Sequence, residues 1–295
     1  MRTRLPKTKK GLLCSDDERE RGCEHLVLSE IMLFLLSLGC ASLLTTAGPK
    51  TPRSAAPLLS LGTELPPPSP PGAVWAKQAG VMWLAAAALG PLCDGRHSAH
   101  DVLHYAQDSI AGPPLLLFAP GTEQLILETC WWVPFAFGGA GVILGAAHPA
   151  LDVAWGGRRR EPAGWPTVAI AVAAFVATYD FSGQLAERAA EIGGAHDWLA
   201  LDAPLAAIAV VTFLVFERSL GGLFMMFLLF VIGPVAEVGL INQLGLYEYT
   251  HADFMGIPSW ICWVYAAGGP ANGALGRQVL SWLEADATDD FATGR

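Results

Sequence analysis

Four residues within eight positions, His97, His100, Asp101 and His104, carry the densest ligand chemistry in this chain. They are spaced HxxHDxxH. On a helix, positions three and four apart share a face, so the imidazoles and the carboxylate could converge on a metal ion. A solvated loop helix accounts for the same string, because loose histidine spacings recur without metal. A membrane di-iron oxygenase needs several such boxes. The chain has seven histidines in all, and His25, His148, His196 and His251 stand apart from one another. The ligand count excludes that reaction class, and no metal ligand or cofactor is assigned. An alternative, a metal- or solute-handling membrane protein, would draw on His97, His100, His104 and Glu237.

Carboxylates inside apolar segments are the other place where chemistry could reside. Asp180, Asp202 and Glu237 all fall in such segments. An acid in hydrocarbon is costly and marks a function or a partner. These three lie near segment ends, where a side chain also reaches the interface or a neighbouring helix. The sequence contains no GxSxG elbow, no Ser/His/Asp grouping, no phosphate-binding loop and no GxGxxG opening after a strand. No catalytic residue is therefore assigned, and the chain reads as non-enzymatic. Its six cysteines, at 14, 23, 40, 93, 130 and 262, form no CxxC pair, which excludes a zinc ribbon.

The elements that must position these groups are membrane helices. Over 295 residues the composition is 53% hydrophobic and 15% charged, and the mean hydropathy is +0.41. A soluble chain carries about 25% charged residues. The net charge of −9 says little, because acids cluster in loops and the C-terminal tail, but the lack of a basic face beyond the N-terminus speaks against nucleic-acid partners. Six apolar segments cover residues 74–93, 130–150, 165–181, 198–216, 220–241 and 258–279. Crossing ~30 Å of hydrocarbon takes roughly 20 helical residues. The third segment is short and is expected to run past Asp180; the sixth is glycine-rich and weakly apolar. Trp75, Trp131, Trp132, Trp165, Trp198 and Trp260 stand near segment starts, as interfacial anchors do. Arg158, Arg159, Arg160, Arg218, Arg277 and Arg295 fall on one side of a six-span topology, against Arg96 and Arg188 on the other. That bias predicts both termini in the cytosol.

Residues 1–72 read as a separate extension, either disordered or a targeting peptide, with an apolar stretch at 26–46 and a proline- and serine-rich linker after it. Residues 73–280 form an all-α, polytopic six-helix transmembrane domain, and 281–295 a cytosolic tail. Within the second segment Trp131-Trp132-Val133-Pro134 leads into Gly138, Gly141 and Gly145. Gly141 and Gly145 lie one turn apart, so another helix can approach closely in lipid. Gly269 and Gly273 repeat the pattern in the sixth segment. Glu217-Arg218-Ser219 makes a charged turn between the fourth and fifth, where an acid could dock a partner helix.

Taken in order, these motifs resemble the Insig (insulin-induced gene) family. WWVPFAFGGAGVILGAAHPALD (131–152) is similar to the family's tryptophan-pair helix, and GLYEYTHADFMGIPSW (245–260) to its GxYxYTxxDFxxxxSW stretch. Gly268, Gly269, Gly273, Gly276, Arg277 and Gln278 fit its GGxxxGxxGRQ ending, and FERSLGG (216–222) looks like its FDRSxSG turn. The resemblance covers about 74–280. It implies a six-span endoplasmic-reticulum protein without catalysis or cofactor, one that binds oxysterol and sterol-sensing-domain partners, namely a Scap-like protein and HMG-CoA reductase. It further implies that Phe175 and Phe213 line a sterol groove and that Glu217, in place of the family's aspartate, binds the partner. Ala200 and Pro204 stand where the family carries glutamine and threonine, so a diacylglycerol-like lipid is the alternative guest.

Overall fold

The structure is a computed structural model that describes residues 72–107 and 110–293. The apolar stretch at 26–46, the linker after it, Cys14, Cys23, Cys40 and Arg295 lie outside the described residues. Six long helices follow in order: α1 (Gly72–Ala99), α2 (Val133–Gly156), α3 (Trp165–Glu191), α4 (Trp198–Phe216), α5 (Leu220–Asn242) and α6 (Ile261–Thr293). The third helix runs well past Asp180, as its sequence requires. The last continues beyond residue 280 to Thr293 without a break.

Local chemistry sets the helix ends. Pro134 stands in the first turn of α2 and Pro166 in that of α3, where a missing N–H costs nothing. Gly157 closes α2 in the left-handed region, with φ at 72° and its N–H on the Val153 carbonyl. The Asp197 carboxylate caps α4 by accepting from the N–H groups of Leu199 and Ala200. Ser219 Oγ caps α5 by accepting from Gly222 N at 2.9 Å.

Four helices, α2 to α5, are long and apolar enough to cross a membrane, with mean hydropathies from 1.3 to 2.3. They turn Ile143, Val210, Leu214, Phe227 and Val235 outward. A soluble fold would bury such residues; here the lipid is their solvent. The protein is a multi-pass membrane protein built as an all-α bundle. The glycine-rich α6 is its axis, packing against α1, α2, α3, α4 and α5. Its Ala266, Ala267, Ala271, Ala274, Val279 and Leu280 are buried. A helix wrapped by others needs small residues more than greasy ones, which explains its low hydropathy.

Four short strands, not anticipated from the apolar pattern, sit in the loops. The strand β1 (Leu103–Tyr105) pairs antiparallel with β4 (Tyr247–Tyr249), with Leu103 opposite Tyr249 and Tyr105 opposite Tyr247. This pairing ties the loop after α1 to the loop after α5 and closes one end of the bundle. The strands β2 (Leu115–Phe118) and β3 (Leu125–Thr129) form a hairpin between α1 and α2.

Candidate functional site

Two constructions inside the bundle could act on other molecules: a cavity and a buried ion cluster. The cavity, of about 430 Å³, is lined by α1, α2, α3, α5, α6 and the end strand β4. That volume falls in the range of small-molecule sites, about 300–1,000 Å³. Its walls are overwhelmingly hydrocarbon, with Met82, Leu144, Phe175, Met225 and Ile232 among them. Glycines set its shape: a Cβ at Gly268 would stand 2.8 Å from the Phe175 ring, and one at Gly233 2.5 Å from Tyr265. One end is polar. There Tyr265 donates to Glu237 Oε1 at 2.6 Å and Tyr249 donates to Glu237 Oε2 at 2.8 Å. Tyr105 donates to Asp94 Oδ2 at 2.6 Å, and Asp94, Glu237, Tyr179 and Tyr247 all reach the lining. The arrangement suits a long apolar guest carrying one hydrogen-bonding head.

The ion cluster sits at the other end. Arg277 of α6 grips Asp152 of α2 with both arms, Nε to Oδ2 at 2.6 Å and Nη2 to Oδ1 at 2.8 Å. The same guanidinium donates to Glu217, from Nη1 to Oε2 at 2.7 Å and from Nη2 to Oε1 at 3.1 Å. Arg160 adds a second cation on Glu217 Oε1 at 2.7 Å, and Ser219 Oγ donates to the same oxygen at 2.5 Å. Glu217 is 1% exposed. His148 is fully buried next to it, with Nδ1 3.9 Å from Glu217 Oε2. Asp152, Glu217 and Arg277 are buried and, with Arg160 reaching in from the partly exposed loop after α2, clamp α2, α6 and the α4–α5 turn together. Fork-to-carboxylate geometry of this kind is the strong form of ion pair.

Backbone approach completes the clamp. A Cβ at Gly276 would stand 2.6 Å from the Gly145 carbonyl oxygen and 3.0 Å from its Cα. The Gln78 amide, from α1, donates to the carbonyls of both Gly145 and Gly276 at 3.0 Å. One side chain thereby joins three helices.

The residues singled out in the sequence fall as follows. Phe175 lines the cavity, in edge contact with Tyr179 at 5.3 Å. Phe213 does not reach it and packs instead in a neighbouring cluster around Ala209, Met226, Ala266 and Ala267. Glu217 points into the bundle. Gly141 meets Ala86 and the Met82 carbonyl of α1; Gly145 meets the Met82 side chain; Gly269 meets Met226; Gly273 faces Glu217 and His148. Pro204 is buried on α4, which contributes nothing to the cavity.

The histidine string does not gather. Helix α1 ends at Ala99, and Asp101 takes a positive φ of 56°, so His97, His100 and His104 never share a helix face. His97 pairs with Ser182 at 2.8 Å, His100 with Glu187 at 2.7 Å and Asp180 at 3.2 Å, and His104 with Asp101 at 2.8 Å and Glu128 at 3.3 Å. Among the described residues no three His, Cys, Asp or Glu side chains converge as a metal site. The metal-handling alternative loses its ligand set. The three intramembrane acids are each claimed by a neighbour: Glu237 by the tyrosines, Asp202 by Ser259 at 2.7 Å and Trp263 at 3.1 Å, Asp180 by Arg96 at 2.5 Å.

No family model matches the sequence. The insulin-induced gene 2 protein of Xenopus tropicalis is 30% identical over 163 residues, spanning 55% of this chain and 71% of its own length. This chain belongs to the Insig family. The insulin-induced gene 2 protein of Gallus gallus is 29% identical over 170 residues, 56% of this chain and 70% of its own. The insulin-induced gene 1 protein of Bos taurus is 29% identical over 164 residues, covering 56% of its length. Among solved structures, an Insig homolog from Mycobacterium vanbaalenii is similar with a TM-score of 0.55 at 22% identity, over 70% of this chain and 95% of that one. That likeness speaks for a shared Insig fold.

The Asp152–Arg277 pair and the roles of Arg160 and Gln78 escape reading from the sequence. Asp152 and Arg277 each stand out as an ionisable residue at the edge of an apolar segment. Ionisable groups in membranes pair with one another, and that rule was the available signal. Gln78 gives none, because nothing in its neighbourhood distinguishes a bridging amide from a surface one.

Proposed function

We propose that this Insig-family protein is a non-enzymatic, lipid-sensing regulator of sterol or isoprenoid synthesis in the endoplasmic reticulum membrane. In this reading α1 and α6 also cross the bilayer, both termini face the cytosol, and residues 1–72 form a separate extension. An oxysterol enters the cavity with its apolar body along Phe175, Met82 and Leu144 and its hydroxyl toward Glu237 and the tyrosines. The liganded bundle then holds a sterol-sensing-domain partner, of the Scap or HMG-CoA reductase kind. The observation that carries the reading is the cavity itself: a largely hydrocarbon slot with a cluster of hydrogen-bonding groups at one end, in a chain of this family.

Regulation follows from mass action. A guest that binds the folded, partner-competent bundle stabilises it by RT ln(1 + [L]/Kd), about 2.7 kcal/mol at a hundredfold excess over Kd. Glu217 acts in this scheme as a positioning residue. It is buried and holds the α4–α5 turn, whose outward side chains, Arg218 and Leu220, meet the partner.

The test is photo-crosslinking of the full chain in membranes with a diazirine oxysterol. Saturable labelling that unlabelled oxysterol competes away, and that Phe175→Ala and Glu237→Gln both weaken, is the expected result. Labelling lost on Phe213→Ala but kept on Phe175→Ala would move the guest to the seam of α4 with α5 and α6. Failure of oxysterol to compete, with a diacylglycerol recovered by mass spectrometry from the purified protein, would replace the sterol by that lipid.

A further inference from the structure

The hairpin between α1 and α2 touches the cavity's polar end through Glu128 of β3, which accepts from the Tyr105 N–H at 2.9 Å; its other strand, β2, lines neither that cavity nor the ion cluster. Leu115, Leu116, Leu117 and Phe118 of β2 are all exposed. Successive side chains of a strand point to opposite faces, so β2 is bare on both. Ile110 and Ile126 are exposed as well. Residues 110–127 carry a single charged side chain, Glu123, at the tip of the hairpin. Exposed apolar side chains gathered in this way, with Leu116 and Phe118 bordering a shallow groove they share with His104, Glu128 and Glu248, mark a contact with something other than water.

Its height relative to the helices identifies that something. The Trp131 indole N–H donates to the Ala111 carbonyl at 2.8 Å, fixing the approach to the hairpin onto the start of α2. Trp131 is 68% exposed and touches the ring of Phe135, 6.2 Å away and also exposed, on the outer side of that helix. An exposed tryptophan at the mouth of a membrane helix sits in the headgroup layer. On the other flank, Leu127 of β3 lies against Gly95, near the end of α1. The hairpin is therefore pinned at the level where one membrane helix ends and the next begins. The headgroup layer is about 5–7 Å deep on each side of the hydrocarbon, whereas a four-residue strand is ~13 Å long. A strand held there at both flanks lies along the layer more readily than across it. The depth also has a lower bound. As an edge strand, β2 has one side of its backbone facing no other strand, and hydrocarbon would leave those groups without water.

We propose that the β2–β3 hairpin is an interfacial membrane anchor. Leu115, Leu116, Leu117, Phe118 and Ile126 rest on the acyl chains of the leaflet where α1 ends, continuous with the lipid-facing surface of α2, and the tip at Thr122–Glu123 reaches water.

The experiment places an environment-sensitive fluorescent amino acid at 117 or 118 of the full chain, with a control at Thr122, in nanodiscs of phosphatidylcholine. The lipid carries a doxyl quencher near the top of the acyl chain. The expected result is a blue-shifted emission at 117 and 118 that doxyl lipid quenches several-fold more than at 122, with iodide quenching in the reverse order. Iodide access at 117 and 118 equal to that at 122 would overturn the proposal. So would protection from both quenchers, since that places protein, a second copy or a partner, over the strand. Should the label at 118 prevent folding, judged by gel filtration, Leu116 offers the same reading from the same face. None of these outcomes depends on whether the cavity takes a sterol.

Discussion

Arg277 answers to two carboxylates that arrive from different elements, Asp152 on α2 and Glu217 in the α4–α5 turn. Replacing Arg277 by methionine leaves both acids buried with reduced compensation, and breaking a buried pair in this way costs about 3–5 kcal/mol. Chemical denaturation in detergent should show a loss of that order, with Glu217→Gln losing less because the Asp152 fork survives. Each of these residues is conspicuous in the sequence as an ionisable group beside an apolar run. Their meeting was not legible, because Asp152 and Arg277 are 125 positions apart and no local rule reaches so far. The sequence marks Glu217 as an acid that could dock a partner helix; its burial against Arg277, 60 positions away, is equally beyond any local rule. Outside the helices, His104 has its ring nitrogens facing Glu128 and Asp101. The Glu128 hydrogen bond, then that of Asp101, holds its pKa above the usual value against partial desolvation. A raised folded pKa stabilises fully below the unfolded value of 6.5 and fades as pH rises through the folded one. Hydrogen exchange in residues 103–129, corrected for intrinsic rates, is expected to speed up over that window, and His104→Gln should remove the dependence.

At the scale of elements, the glycines separate into two kinds. A methyl group at Gly276 would strike the Gly145 backbone, which cannot move without parting α2 from α6. A methyl at Gly145 would strike the Met82 side chain at 2.5 Å, and methionine has rotamers to spare. Gly276→Ala should therefore cost on the order of 1–3 kcal/mol, the range of overpacked sites, and Gly145→Ala distinctly less. Thermal unfolding of the two variants in one detergent decides it; equal losses would refute the distinction. The helices themselves were largely legible, since 198–216 is apolar apart from Asp202 and Thr212 and is capped by Asp197. Helix α6 was the weak signal, because its neighbours rather than lipid receive its surface. The strands were not legible: Leu115-Leu116-Leu117-Phe118 lacks the alternation that marks a half-buried strand, and its pairing with β3 depends on the turn at 119–122.

For the whole molecule, the arginine bias at Arg158, Arg159, Arg160 and Arg218 predicts that these loops share the cytosolic side. Glycosylation acceptors inserted beside Gly193 and beside Thr122 should be modified in microsomes, and one beside Arg159 should not; the reverse pattern would invert the bundle. Family membership was legible from the motifs at 131–152, 245–260 and 268–278, which form α2, β4 with its following loop, and α6. The cavity was legible in part, since Phe175 reaches it and Phe213 does not. Its polar end was hidden because Asp94, Glu237 and Tyr265 come together from three separate helices. The order of the helices has a bearing on biogenesis. Arg277 and the carbonyl of Gly276 belong to α6, the last of the described helices, while Asp152, Glu217 and Gln78 await them from earlier elements. A polypeptide still emerging from the ribosome holds these groups unmatched until α6 has been made. A chain halted before residue 276 would offer the cell's surveillance machinery a ready signature of incompleteness.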